Sequence, residues 1–242
     1  MRKILLSLVA ATALCSGSAT AADIPTKAPI YKAAPVFTWT GFYGGVNAGY
    51  GWDPTYWLEN PPGTLDEILN LRPQGAFGGV QIGYNWQFSR NWLFGIETDF
   101  QISDIQDRYN FVYPGGGASY ATLAIDYFGT VRARFGYVMD RNLFYFTAGG
   151  AYAKFQANMF ADFDVGDGLI NGHKWLGGYV VGFGYERAFT NNWTLKFEYL
   201  FIDFSHLDIR GINTGGGQVA LTGDPYLHVV RLGLNLRFAS GL

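Results

Sequence analysis

The sequence predicts an all-β fold, an eight-stranded antiparallel up-and-down transmembrane β-barrel, and three observations carry that prediction. Eight runs alternate apolar residues with small, polar or charged ones at period two, as strands do when one face meets an apolar medium. The connections between those runs alternate short and long, the loop pattern of outer-membrane barrels. One hairpin pattern also recurs at identical offsets: Gly83-Tyr84, Phe88-Ser89-Arg90-Asn91-Trp92 and Glu97, then Gly184-Tyr185, Phe189-Thr190-Asn191-Asn192-Trp193 and Glu198. A shorter copy runs from Gly136-Tyr137 to Asn142-Leu143, so the unit returns roughly every 50 residues, as an array of like supersecondary pieces would.

Taken from the start, Met1-Arg2-Lys3, the apolar run from Ile4 to Leu14 and the small residues ending Ala19-Thr20-Ala21 have the three regions of a secretory signal peptide, residues 1–21. Cleavage is expected after Ala21, with Ala22 the other candidate, and the apolar run falls short of the ~20 residues of a spanning helix. Cys15, the only cysteine, lies inside that peptide, and Leu14 is not the small residue a lipoprotein signal sets before its cysteine. The mature chain is then without thiols, which excludes disulfides, cysteine metal sites and cysteine nucleophiles. Residues 22–39, rich in Pro, Ala and Lys and without periodicity, read as an extended periplasmic leader.

The barrel is expected over residues 40–238. In the first run Phe42, Gly44, Val46, Ala48, Tyr50 and Trp52 share the apolar side. The second sets Ala76, Val80, Ile82, Tyr84 and Trp86 outward against Gln81, Asn85 and Gln87, and the third sets Trp92, Phe94, Ile96, Phe100 and Ile102 against Glu97, Asp99 and Gln101. In the fourth, Leu123, Ile125, Tyr127, Val131, Ala133, Phe135 and Tyr137 are expected outside, with Asp126, Thr130, Arg132 and Arg134 inside. The fifth, from Leu143 to Gln156, reads either way, and the reading adopted turns Phe144, Phe146, Ala148 and Tyr152 to lipid. Tyr179, Val181, Phe183 and Tyr185 form the outer side of the sixth, opposite Glu186; Trp193, Leu195, Phe197, Tyr199 and Phe201 that of the seventh, opposite Lys196 and Glu198; and His228, Val230, Leu232, Leu234, Leu236 and Phe238 that of the eighth, opposite Arg231 and Arg237.

Short turns centre on Arg90, Asp140 and Asn191, and long loops are expected near 53–73, 104–119, 157–174 and 206–225, which puts both termini in the periplasm. Trp86, Phe88, Trp92, Tyr137, Phe189, Trp193 and Phe238 gather at the short-turn ends, and Trp52, Phe100, Trp175 and Phe201 at the long-loop ends, as two aromatic girdles. With 18% aromatic residues, 33 glycines and 15% charged residues, the composition is unusual for a soluble domain. Loss of Arg2 and Lys3 moves the net charge from −2 to −4, which does not suit nucleic acid as a partner.

The interior is expected to hold Glu97, Asp99, Asp126, Glu186 and Glu198 against Arg132, Arg134, Lys196, Arg231 and Arg237. An eight-stranded barrel is only just wide enough for its own side chains, so this set reads as an ion-paired plug rather than a conducting lining. A slip of one residue would turn these charges into the bilayer at up to ~2–4 kcal/mol per basic residue, which pins the register.

Other constellations point nowhere chemical. The Gly-x-Gly pairs do not open helices, and no phosphate-binding motif occurs. Asp203, Ser205, His206 and Asp208 superficially suit a hydrolase, but a Ser and a His adjacent on a strand face opposite ways. Asp162, Asp164 and Asp167 read as a solvated acidic loop because Gly166 breaks the calcium-loop pattern and its Glu is missing. His173 and His206 with Tyr56, Tyr109 and Tyr113 are the only haem-ligand candidates, and nothing in the sequence brings them together. No catalytic residue, metal or cofactor is therefore expected.

In Trp39-Thr40-Gly41-Phe42-Tyr43-Gly44-Gly45, Gly129-Thr130-Val131-Arg132-Ala133-Arg134-Phe135-Gly136-Tyr137 and Ala188-Phe189-Thr190-Asn191-Asn192-Trp193 through Glu198-Tyr199-Leu200, the chain resembles the alphaproteobacterial small outer-membrane barrel family. That family includes outer-membrane immunogenic and haemin-binding proteins and is often labelled a porin family. The resemblance implies an abundant, surface-exposed protein of the Gram-negative outer membrane that stabilises the envelope, in contact with outer-membrane lipids and lipopolysaccharide. The last strand, Arg231, Gly233, Leu236 and Phe238, is similar to the signal read by the barrel assembly machinery, although the tail 239–242 follows the terminal aromatic. The second functional reading is a narrow porin or a surface receptor for haem or another small ligand.

Overall fold

A membrane offers the peptide backbone no hydrogen-bond partners, so strands that cross it must pair all the way round. The computed structural model, which describes residues 37–53, 56–58, 69–112, 117–162, 168–213 and 218–238, does so. In chain order the strands are β1 (Gly41–Trp52), β2 (Tyr56–Leu58), β3 (Leu69–Leu71), β4 (Gln74–Gln87), β5 (Trp92–Val112), β6 (Ala118–Met139), β7 (Asn142–Ala161), β8 (Gly168–Ala188), β9 (Trp193–Phe204), β10 (Leu207–Asn213), β11 (Gln218–Gly223) and β12 (Tyr226–Arg237). Eight of them, β1, β4, β5, β6, β7, β8, β9 and β12, form a ring of antiparallel neighbours, closed where β1 pairs with β12. The signal peptide, most of the leader, the tail 239–242 and Asp164, Asp167 and Tyr113 lie outside the described residues.

The repeated turn motif has a local physical cause. In the first copy the Ser89 hydroxyl accepts the Trp92 N–H (3.1 Å), and in the second the Thr190 hydroxyl accepts the Trp193 N–H (2.9 Å). Side-chain hydroxyls stabilise tight turns in this way. The motif's Asn then reaches the next strand of the ring: Asn91 donates to the Val138 carbonyl (2.9 Å) and Asn192 to the Arg237 carbonyl (3.1 Å). In the third short turn Asp140 takes φ 54°, a left-handed conformation that Asp tolerates.

Outward faces follow the expected alternation through the membrane. On β7 the face chosen from sequence is the outer one, with Phe146 75% exposed while Leu143 and Tyr145 are buried. Two expectations fail at the extracellular side. The connections expected at 104–119 and 157–174 are largely strand, because β5 to β8 extend 20 to 22 residues each, and the one at 206–225 contains the β10–β11 hairpin. Leu123 and Ile125, expected to face lipid, are wholly or almost wholly buried inside. The ladder steps from Ile125 to Tyr127 against β7, leaving Asp126 as an extra residue, and an irregularity between Ile102 and Ile105 faces it on β5. A bulge of this kind reverses which side chains point inward beyond it.

Above the bulge the exterior is aqueous and the pattern inverts, so apolar side chains fill the inside. Ile105, Leu123, Ile125, Phe155, Ile170, Leu200, Ile202 and Leu227 belong to one buried cluster at this end, with Phe77 and Phe128 edge to face at 5.1 Å beneath it. At the periplasmic end the chain supplies its own stopper. Trp39, read from sequence as the end of the leader, is 0% exposed and packs with Leu93, Val138, Leu143, Tyr145 and Ala188. Its backbone N–H donates to Gln87 Oε1 (2.9 Å) and its indole N–H to the Asp140 carbonyl (3.4 Å). Trp39→Ala is expected to cost about 3–5 kcal/mol, the range for truncating a buried large aromatic. Denaturant unfolding of the refolded barrel in micelles measures it, with Phe42→Ala on the lipid-facing wall as the milder control.

Candidate functional site: a charge-matched barrel interior

The membrane-level interior is built by inward residues of period-two strands, and its centre is a pair of carboxylates on opposite walls. Glu97 of β5 and Glu198 of β9 are the two Glu residues of the repeated motif. Arg132 of β6 bridges them, Nη2 to Glu97 Oε1 (2.5 Å) and Nη1 to Glu198 Oε1 (2.9 Å). Arg231 of β12 binds Glu198 Oε2 (2.5 Å), Asp99 (3.0 Å) and Glu97 (3.3 Å), and Lys196 of β9 binds Glu97 (2.7 Å). Arg132 also reaches Asp99 (3.1 Å), whose carboxylate accepts the Thr130 hydroxyl (2.7 Å). Arg134 joins Glu186 (3.0 Å) and Glu97 (3.4 Å) and lies between the rings of Tyr43 and Tyr145, 4.9 Å from each centroid.

The two halves of the barrel build this centre in the same way. Tyr43 of β1 donates to Glu97 (2.7 Å), and Tyr145 of β7 donates to Glu198 (2.9 Å). Gly83 and Gly184, the motif glycines, lie directly across from those Glu residues. A Cβ on Gly83 would meet the Tyr43 hydroxyl at 2.3 Å, and one on Gly184 would meet that of Tyr145 at 2.4 Å. Arg132 is the cross-strand partner of Glu97, and Arg231 that of Glu198. Each half therefore contributes one Tyr, one Gly, one Glu and one Arg at matching places, a pseudo-two-fold arrangement about the barrel axis. Sequence reasoning found the Gly and Glu positions; the tyrosines, assigned only to an inward face or an ambiguous strand, were missed as members.

A neutral hydrogen-bonded chain completes the wall: Asn47 to Gln81 (3.0 Å), Gln81 to Asn235 (2.5 Å), and Asn235 to Glu186 (2.9 Å), which also accepts from Thr194 (2.5 Å). Of the ten charged residues grouped from sequence, Glu97, Asp99, Arg132, Arg134, Glu186, Lys196, Glu198 and Arg231 come together, four acids with four bases. Asp126 and Arg237 do not join them. The bulge turns Asp126 to the outer wall, where it pairs with Lys154 at 2.9 Å and both side chains are about a quarter exposed. Arg237 sits at the periplasmic mouth, donating to the carbonyls of Thr38 and Asn191 and stacking over Phe37 and Trp39.

The remaining candidates are scattered. Ser205 donates its hydroxyl to the Gly177 carbonyl (2.7 Å), while His206 pairs with Asp224 (2.9 Å), so the two are not joined. Asp208 meets Arg210 (2.9 Å), whose guanidinium holds the Asp208 carboxyl below its ordinary range. Asp162 donates its backbone N–H to Ser119 (3.0 Å). His173 and Tyr109 are exposed on different strands, β8 and β5, and Tyr56 lies in β2.

A closed eight-stranded ring with an apolar aromatic exterior and a charge-matched interior defines an outer-membrane β-barrel. The chain belongs to the outer-membrane β-barrel family: the family model described as an outer membrane protein beta-barrel domain matches residues 7–238. It is similar to the 31 kDa outer-membrane immunogenic protein of Brucella melitensis, 35% identical over 98% of this chain and 100% of the relative. It is also similar to the 22 kDa outer membrane protein of Rhizobium leguminosarum bv. viciae, 31% identical over 72% and 68%. Among solved structures, OprG of Pseudomonas aeruginosa aligns at a TM-score of 0.49 with 9% identity, covering 82% of this chain and 97% of that one. The protein is thus an outer-membrane protein.

Removing one charge from the fully buried set strands its partners, which costs ~3–5 kcal/mol, whereas an exposed pair contributes ~1 kcal/mol or less. Glu198→Gln is therefore expected to lower the denaturant midpoint far more than Asp126→Asn, measured side by side in micelles.

Proposed function

We propose that the protein is a structural, non-conducting component of the outer membrane that contributes to envelope integrity and displays its extracellular strands at the cell surface, without a catalytic role. One observation supports this reading above others. The cross-section is occupied at three successive levels: by the Trp39 stopper, by the eight matched charges, and by the apolar cluster around Ile105, Leu123 and Phe155. Ion pairs that satisfy one another inside a narrow barrel leave no continuous water path.

In this reading residues 1–21 direct export and residues 22–36 lie in the periplasm. Arg231, Gly233, Leu236 and Phe238 of the last strand address the barrel assembly machinery, and outer-membrane lipids with lipopolysaccharide are the standing partners. Display at the surface accords with the name of the Brucella relative, an outer-membrane immunogenic protein. The paired rims of aromatic side chains, such as Trp92 stacked on Phe135 (5.1 Å) at one end and Phe100 on Tyr127 (5.8 Å) at the other, hold the barrel at a fixed depth.

Planar-bilayer recording of the refolded protein is expected to show no steady conductance, and titration with haem no stoichiometric binding. Stable channels, or saturable one-to-one haem binding, would replace this reading with the narrow porin or receptor.

A further inference from the structure

Four buried side chains of the interior carry polar atoms that the protein itself does not serve. Among the described residues, Asn47 Oδ1, both ends of the Gln101 carboxamide, Arg132 Nε and Arg231 Nη1 have no hydrogen-bond partner. Gln101 is 0% exposed and Asn47 6%. A buried donor or acceptor without a partner forfeits its hydration and gains nothing in return, so native interiors rarely keep one.

These atoms belong to one layer. Asn47 of β1, Gly79 of β4 and Gln101 of β5 are successive cross-strand neighbours on the inward face. A Cβ on Gly79 would collide with Gln101 Oε1, so the Gln101 carboxamide lies over the glycine on the way to Asn47. The inward residue before Gln101 on β5 is Asp99, and Arg132 and Arg231 both bind its Oδ2, at 3.1 Å and 3.0 Å. In each guanidinium the unserved nitrogen is bonded to the same carbon as the nitrogen that touches Asp99. Phe77 and Phe128, edge to face, close the layer on the extracellular side, Phe128 being the cross-strand partner of Gln101.

The neighbouring amide chain fixes what Asn47 needs. The Glu186 carboxylate only accepts, so Asn235 turns its amino group to Glu186 and its oxygen to Gln81, and Gln81 gives its own oxygen to Asn47 Nδ2. Asn47 Oδ1 is therefore the free accepting end of a one-way chain.

We infer that a small, closed group of water molecules is bound in this layer, joining Asn47 to Gln101 across Gly79 and accepting from Arg231 and Arg132. The chemistry selects water. The occupant must donate to two oxygens, Asn47 Oδ1 and Gln101 Oε1, and accept from three nitrogens, Gln101 Nε2, Arg132 Nε and Arg231 Nη1. A halide has no hydrogen to give, and a metal cation would face those donors. Either would also add net charge to four acids and four bases that already balance. Buried water, which makes about three hydrogen bonds to groups of this kind, meets both demands. It also completes a circuit. The amide chain starts at Glu186, which Arg134 ties to Glu97, and ends beside Gln101, next to Asp99 of the same ion cluster. Water at the free end joins the two into one hydrogen-bonded loop that fixes β1 and β4 to the charges on β5, β6 and β12. The site goes beyond the structural role proposed above, and being enclosed it opens no path through the barrel.

The test is water cross-relaxation NMR on the refolded protein in micelles, with the Gln101 side-chain amide signals identified by their loss in Gln101→Leu. These protons are expected to show cross-peaks to long-lived water, and chloride added at constant ionic strength is expected to leave their shifts unchanged. Gln101→Leu is expected to unfold about 5 °C below the wild type, because the water and Asn47 Oδ1 lose a partner. Absence of the water cross-peaks, as a direct bond between Gln101 and Asn47 would give, overturns the site. So does a saturable chloride shift, which would make the occupant an anion, or a higher midpoint in Gln101→Leu, the result of removing a carboxamide that nothing serves. Planar-bilayer conductance, the readout for the structural role, is independent of all three.

Discussion

Everything in this molecule depends on closing a ring of backbone hydrogen bonds in a medium that supplies none. Once β1 has met β12, eight strands leave a cylinder that their own side chains must fill, and the inward residues can only be small, matched or apolar. The structure uses each of these solutions at a different depth. Glycines admit the tyrosines beside Glu97 and Glu198, opposite charges satisfy one another around Arg132, and the extracellular end is filled by apolar side chains.

The pairing of Tyr43, Gly83, Glu97 and Arg132 with Tyr145, Gly184, Glu198 and Arg231 explains why one hairpin pattern is written twice. A carboxylate at the centre of a bilayer is tolerable only with donors on several sides, and each Glu receives them from its own tyrosine, its cross-strand arginine and the other half of the barrel. The turn residues serve the same closure from below. Ser89 and Thr190 fix the turns, while Asn91 and Asn192 tie each turn to the next strand. Departures from symmetry, such as Asp99, Arg134 and Glu186, then add pairs that make the filling unique to one register.

Where the medium outside was lipid, the sequence was readable, because apolar-out and charged-in is an unambiguous alternation. The eight strands, the turn positions and eight of the ten clustered charges follow from it. Above the membrane the same strands continue with polar residues out and apolar residues in, and that inverted pattern resembles loop when judged by the membrane rule. Asp126 and Leu123 were assigned to the wrong faces for a different reason: a bulge shifts the phase by one residue, and no residue type announces it. Arg237 followed the alternation correctly and points inward, but depth along the barrel, not facing, decides whether an inward charge reaches the cluster. Trp39 was hidden because a stopper needs no periodicity at all.

Closure and register are one claim, and a single cross-link tests both. From residue 22 on the chain has no cysteine, so Val46→Cys on β1 can be combined with Leu234→Cys, its partner across the seam with β12. Oxidation of the membrane-embedded protein should join these two and leave Val46→Cys with Asn235→Cys unlinked. Efficient linkage of the second pair, or of neither, would contradict the closed ring described here.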